Sequence, residues 1–124
     1  MVAARTFDHP ERDQISLDGV LSALADPVRR TIVRQLADGP ESQPCNQFSL
    51  PVGASTRTHH FRVLREAGLI AQEYRGTAIL SSLRQDDLEA RLPGILDAVL
   101  ASERAGVQRG STERWKSSTR PMMR

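Results

Sequence analysis

Residues 55–68 read STRTHHFRVLREAG, a helix-length stretch closed by glycine, and LIAQEYRGTAILSSL follows directly as two strand-like runs around Arg75-Gly76-Thr77. This order constrains the fold more than any other feature of the chain. Successive residues spaced about 100° apart around a helix put Phe61 and Leu64 on one side. Ser55, His59, Arg62 and Glu66 fall opposite, and Thr56 and Thr58 flank them. Such a helix has an apolar side to hold it on a domain. Its other side presents hydroxyl, imidazole and guanidinium groups. Gly76 at the tip of the two runs predicts a β-hairpin.

Upstream, Leu17, Val20, Leu21 and Leu24 recur at helical spacing and predict a first short amphipathic helix. Asp26-Pro27 opens a second, with Asp as N-cap and Pro in the first turn. Val28, Ile32, Val33 and Leu36 form its apolar stripe, and Arg29, Arg30 and Arg34 line the other side. Gly39-Pro40 stops it, with Gly39 free to take a left-handed cap. Residues 40–46 read as loop, and a short apolar segment around Phe48, Leu50 and Val52 leads to a turn at Gly53. Downstream, residues 86–91 read as one or two helical turns, and Pro93 opens a last helix carrying Ile95, Leu96, Val99 and Leu100. The result is a mainly α fold with a small β-hairpin wing, the layout of a winged helix-turn-helix. Residues 1–14 are expected to be a flexible arm, 15–105 the domain, and 106–124 a basic disordered tail.

Charge must be read locally. The chain has 17 Lys and Arg against 15 Asp and Glu, a net of +2. Residues 1–103 carry 11 basic and 14 acidic side chains, a net of −3, while residues 104–124 carry six basic ones against Glu113. The overall excess is therefore no argument for polyanion binding by the domain. It leaves open a protein partner for the recognition face, with retention of tail-deleted protein on heparin as the discriminator. The tail either adds non-specific DNA affinity or is simply an unstructured end. Cys45 stands alone, so no intramolecular disulfide can form, and residues 1–13 lack a hydrophobic signal core. No apolar run is long enough to cross a bilayer, so no membrane partner is expected, and the chain reads as cytoplasmic.

ALADPVRRTIVRQLADG, STRTHHFRVLREAGLI and the short hairpin together resemble ArsR-type winged-helix regulators over residues 17–103. The resemblance implies a homodimer joined through its first and last helices, with two recognition helices on a near-palindromic operator in double-stranded DNA. Leu17, Val20, Leu21, Leu24, Ile95, Leu96, Val99 and Leu100 suit that interface, and equally a monomeric core. In the resulting reading the protein is a sequence-specific regulator, a repressor. Thr56, Thr58 and His59 face bases, and Ser55, Arg57, Arg62 and Arg75 contact the DNA backbone. Arg57 departs from the family pattern, which has a small apolar residue there. It projects toward the buried side, so it is either a phosphate contact or a packing residue whose guanidinium snorkels out.

The resemblance also frames what the sensor lacks. The family's soft-metal site uses a Cys-x-Cys pair before the recognition helix, where this chain has Cys45 alone. A second family site needs a His on the last helix, which here offers only Asp97 and Glu103. Adjacent His59 and His60 point about 100° apart and do not chelate together, and His9 lies in the arm. No metal or cofactor is therefore expected, and the effector is unknown. Cys45 is either a semi-buried packing residue or a single-thiol redox switch. No catalytic grouping or phosphate loop appears, and Asp86-Asp87 is explained by helix capping and the dipole. An enzyme is not expected.

Overall fold

A computed structural model describes residues 6–106. Helix α1 spans Leu17–Leu24, and Ser16 caps it by accepting a hydrogen bond from Gly19 N. Helix α2 spans Pro27–Asp38. The Asp26 carboxylate accepts from Val28 N and Arg29 N, and Pro27 sits where a missing N–H costs nothing. Two arginines on the first turn of α2 reach back to α1. Arg29 Nε donates to Ala23 O and Arg30 Nη1 to Leu24 O, satisfying carbonyls at the end of α1. The arginine side of α2 is thus a set of clasps rather than a solvated face. Gly39 closes the helix in extended backbone, φ −106°, and not in the left-handed cap expected of it.

Segment 40–46 is not all loop. Gln43–Pro44 forms strand β1, and Cys45–Gln47 makes one 3-10 turn before Phe48 enters the core. Helix α3 spans Ala54–Ala67 and ends at Gly68 in the left-handed region, φ 89°. Leu69 N then donates to Leu64 O, which closes the helix. Gly68 is required twice over, because a Cβ there would lie 2.5 Å from Ile15 Cγ1.

Strands β2, Ile70–Arg75, and β3, Ala78–Leu83, form the expected hairpin, with Arg75 opposite Ala78 and Gly76 at φ 64° in the turn. Strand β1 adds to the free side of β3, giving a three-stranded antiparallel sheet of order β1-β3-β2. Helix α4 spans Gln85–Arg91. Gly94 lies just past Pro93, and its carbonyl accepts from Ala98 N at the start of the last helix, α5, residues 95–106. One core joins these elements. Ile15, Val20, Leu24, Ile32, Val33, Leu64, Leu69 and Ile70 are all 5% exposed or less. Leu88, Leu96 and Leu100 close it from α4 and α5.

Residues 6–14 are part of this body rather than a loose arm. The Phe7 ring stacks on Tyr74 at 4.6 Å between centroids, and the Arg65 guanidinium lies over the Phe7 ring, 4.7 Å from its centroid. Gln72 N donates to His9 Nε2 at 2.9 Å, Arg84 Nη1 donates to Pro10 O, and Arg12 pairs with Asp87. Phe7, His9 and Pro10 are too widely spaced for a periodic signal, so only their tertiary partners reveal the strap. The basic tail assigned to 106–124 lies outside the described residues beyond its first position.

Candidate nucleic-acid interface

The interface is built on α3. His60, Phe61 and Leu64 are buried, and the Phe61 ring meets Phe48 edge-on at 5.1 Å. Ser55, Thr56, Thr58, His59, Arg62 and Glu66 are exposed. The helical wheel therefore divides the residues as the fold does. Thr58 Oγ1 donates to Ala54 O, a local bond it can exchange for a partner outside the chain. Arg62 makes no ion pair or hydrogen bond among the described residues, and Glu66 one turn on is the carboxylate that shares its face.

His60 acts behind the face. Arg29 Nη1 lies 3.1 Å from His60 Nδ1, and since guanidinium can only donate, the imidazole accepts and is neutral, with its proton on Nε2. Burial lowers its pKa and the Arg29 charge lowers it further, against the opposing pull of Asp26. Burial also pushes the Asp26 carboxyl up, but the hydrogen bonds from Val28 N and Arg29 N outweigh it and hold the pKa low. Asp26, Arg29 and His60 thereby join the start of α2 to the middle of α3.

Arg57 does not join the exposed set. It is half-buried, its Nη1 donates to Cys45 O at 3.4 Å, and its Nε is buried with no hydrogen-bond partner. Of its two readings, packing against the domain is the one its surroundings match, so it leaves the group of DNA-backbone residues. Arg75 is exposed at the hairpin tip and pairs with Glu73 at 3.2 Å on the same strand.

Behind α3, a polar relay ties the helix to the wing. Arg65 Nη1 donates to Gln72 Oε1 at 2.6 Å, and Gln72 Nε2 donates to Ser81 Oγ at 3.1 Å. Cys45 Sγ lies 3.4 Å from the same hydroxyl. Gln72 and Ser81 are buried in the sheet. Gln72 and Ser81 escape a reading by sequence because polar residues in strands alternate toward solvent by default, and Arg65 on α3 escapes with them because its partner is Gln72. Burial raises the Cys45 thiol pKa, against weaker opposing hydrogen bonds from Ser81 and Gln72. A thiol whose pKa is raised by burial is a weaker nucleophile, and these surroundings favour the packing reading of Cys45. No group of three or more His, Cys, Asp or Glu gathers within reach of one metal ion among the described residues.

The eight positions expected at a dimer interface separate into two groups. Val20, Leu24, Leu96 and Leu100 are buried within the single chain and have no surface left to offer a partner. Leu17 and Leu21 are 45% and 47% exposed, the exposed large apolar residues of the described chain. Ile95 and Val99 are half-buried against the core.

A helix seated through one apolar face, presenting the other, and followed by a short hairpin defines a winged helix-turn-helix DNA-binding protein. Comparison with known proteins carries this to a family. No family model matches the chain. The uncharacterized HTH-type transcriptional regulator YceK of Bacillus subtilis (strain 168) is 33% identical over 94 residues, covering 70% of this chain and 88% of the relative. A solved ArsR family transcriptional regulator superposes with a TM-score of 0.55 at 21% identity, covering 79% of this chain and 98% of that one. A second structure, described as a possible transcriptional regulator for arsenical resistance, gives 0.51 at 27% identity, covering 83% and 97%. The chain belongs to the HTH-type transcriptional regulators and has the ArsR-type winged-helix fold. Among the described residues, no helix is long and apolar enough to cross a membrane.

Proposed function

We propose that the protein is a cytoplasmic, non-enzymatic repressor that binds a near-palindromic operator as a homodimer. The exposed face of α3 carries this reading. Short hydroxyl and imidazole groups at its N-terminal half suit close approach to base edges in the major groove, and the unpaired Arg62 suits a phosphate. Thr56, Thr58 and His59 read bases, and Ser55, Arg62 and the wing's Arg75 hold the backbone. Leu17 and Leu21 supply the apolar surface for the second copy.

Fluorescence anisotropy on the chain's own upstream DNA, against scrambled DNA of equal length at two salt concentrations, tests the proposal. Preferential, salt-sensitive binding at two protomers per site is expected. Equal weak binding to both DNAs would overturn sequence-specific recognition by this face.

A further inference from the structure

A cavity of about 210 Å³ lies between α3 and the wing. Phe7, Phe61 and Ile79 line it with apolar surface, Arg57, Arg62 and Arg65 line it with charge, and no carboxylate is among its lining residues. Of the described arginines, six pair with no Asp or Glu, and three of those six gather here. Arg12, Arg30, Arg75, Arg84 and Arg104 each pair with an Asp or Glu. Around the cavity, Arg57 and Arg65 instead bond only to neutral oxygens, those of Cys45 and Gln72. Both also keep a buried Nε with no hydrogen-bond partner. Arg34 Nε is the third such atom among the described residues, so two of the three lie on this cavity, and buried donors left unpaired are costly enough to ask for an acceptor.

We propose that this cavity is a binding site for a small aromatic carboxylate of benzoate size, and that its occupancy opposes DNA binding. The size follows from the volume. A cavity of roughly 150 Å³ holds benzene, which leaves room here for a ring and one carboxylate. The chemistry follows from the walls, since aromatic surface takes the ring and guanidinium groups take the carboxylate through charge-assisted bonds. The coupling follows from shared residues and rests on the proposed DNA interface. Thr58 and Arg62 line the cavity and also belong to the exposed face of α3. An anion that draws Arg62 inward removes its charge from the phosphate it would otherwise meet.

The test is a titration of the full chain with sodium benzoate at constant ionic strength, followed by ¹⁵N–¹H correlation spectra. Saturable shifts are expected at Arg57, Phe61, Arg65, Gln72 and Ile79. Benzamide, which keeps the ring and loses the charge, should bind at least about tenfold more weakly, as should Arg57→Gln with benzoate. The absence of saturable shifts up to about 10 mM benzoate would overturn the site. So would equal binding of benzamide. Inorganic phosphate reproducing the benzoate shifts would show a general anion patch and overturn the aromatic assignment. If Arg57→Gln does not fold, the three probes on the unaltered protein decide. Anisotropy then reads the coupling, with saturating benzoate expected to weaken operator binding at least severalfold. Benzoate binding with unchanged operator affinity would overturn the antagonism. Benzoate binding by a chain that binds no DNA would overturn the DNA reading and leave the site standing.

Discussion

At the scale of single residues, the DNA face separates groups that read from groups that hold. Arg62 carries charge and has no partner among the described residues, so Arg62→Ala should weaken binding to operator and random DNA alike. The slope of log affinity against log salt should flatten by about one. His59→Ala should instead narrow the gap between operator and random DNA, read as a ratio of the two affinities. If both variants lose affinity equally on both DNAs, the assignment of His59 to bases is wrong. The two buried-side histidines predict a pH dependence of a definite sign. His9 accepts from Gln72 N and His60 accepts from Arg29, so both are neutral when folded. For both, burial is the leading cause that lowers the pKa below 6.5. Between that lowered value and 6.5 the unfolded chain binds more protons than the folded one. Stability is therefore complete above about pH 6.5 and declines as pH falls below it. The midpoint of thermal unfolding should drop between about pH 7 and pH 5, and His9→Gln with His60→Gln should flatten that dependence. An unchanged dependence in the double variant would place the acid sensitivity elsewhere.

At the scale of elements, the wing is anchored along its length, while the charged pair at its tip, proposed to meet DNA, is exposed. Its middle is fixed by the Arg65–Gln72–Ser81 relay, and Phe7 stacks on Tyr74 beside the turn. On either side of Tyr74, Arg75 and Glu73 form an exposed pair, with side chains 68% and 60% exposed. Such a pair contributes about 0–1 kcal/mol and is cheap to exchange for a phosphate. Glu73→Gln should therefore leave thermal stability unchanged. It should raise affinity for all DNA a few-fold, with a steeper salt dependence, because it releases Arg75 and removes a repulsive carboxylate. Unaltered affinity would mean that the tip does not approach DNA. This scale also shows where a sequence is legible. The boundaries of α1, α2 and α3 follow from local chemistry, namely Ser16, Asp26-Pro27 and Gly68, and the faces of α3 follow from a single period. Strand β1 does not, because two residues are too short to alternate and Pro44 argues against a strand. The strap of residues 7–12 does not either, because its order comes from Tyr74, Gln72, Arg84 and Asp87, more than 60 positions away. Periodicity leaves Arg57 between two roles, and the packing role draws its support from tertiary neighbours such as the carbonyl of Cys45, which no local pattern reveals.

At the scale of the whole molecule, the question is what the apolar stripes of α1 and α5 are for. Periodicity places Leu17, Val20, Leu21 and Leu24 on one stripe, yet that stripe is too wide for one purpose. Val20 and Leu24 pack inward against Leu88, Leu96 and Leu100, while Leu17 and Leu21 stay nearly half exposed. A core position and an interface position respond differently to the same substitution. Leu96→Ala opens a cavity in the single chain and should cost about 2–5 kcal/mol of stability. Leu17→Glu with Leu21→Glu adds charge where water already reaches, so the folded chain should keep its helical content. What it should lose is a second copy, because two carboxylates on each side of a self-complementary interface repel and resist desolvation. Sedimentation equilibrium should then show a monomer for the double variant and the proposed dimer for the unaltered protein. Operator affinity should fall far more than affinity for a single half-site, because the linkage between two recognition helices is what multiplies their binding. A double variant that remains dimeric would place the interface on another surface. One that is monomeric yet binds the full operator undiminished would make the recognising unit a single chain.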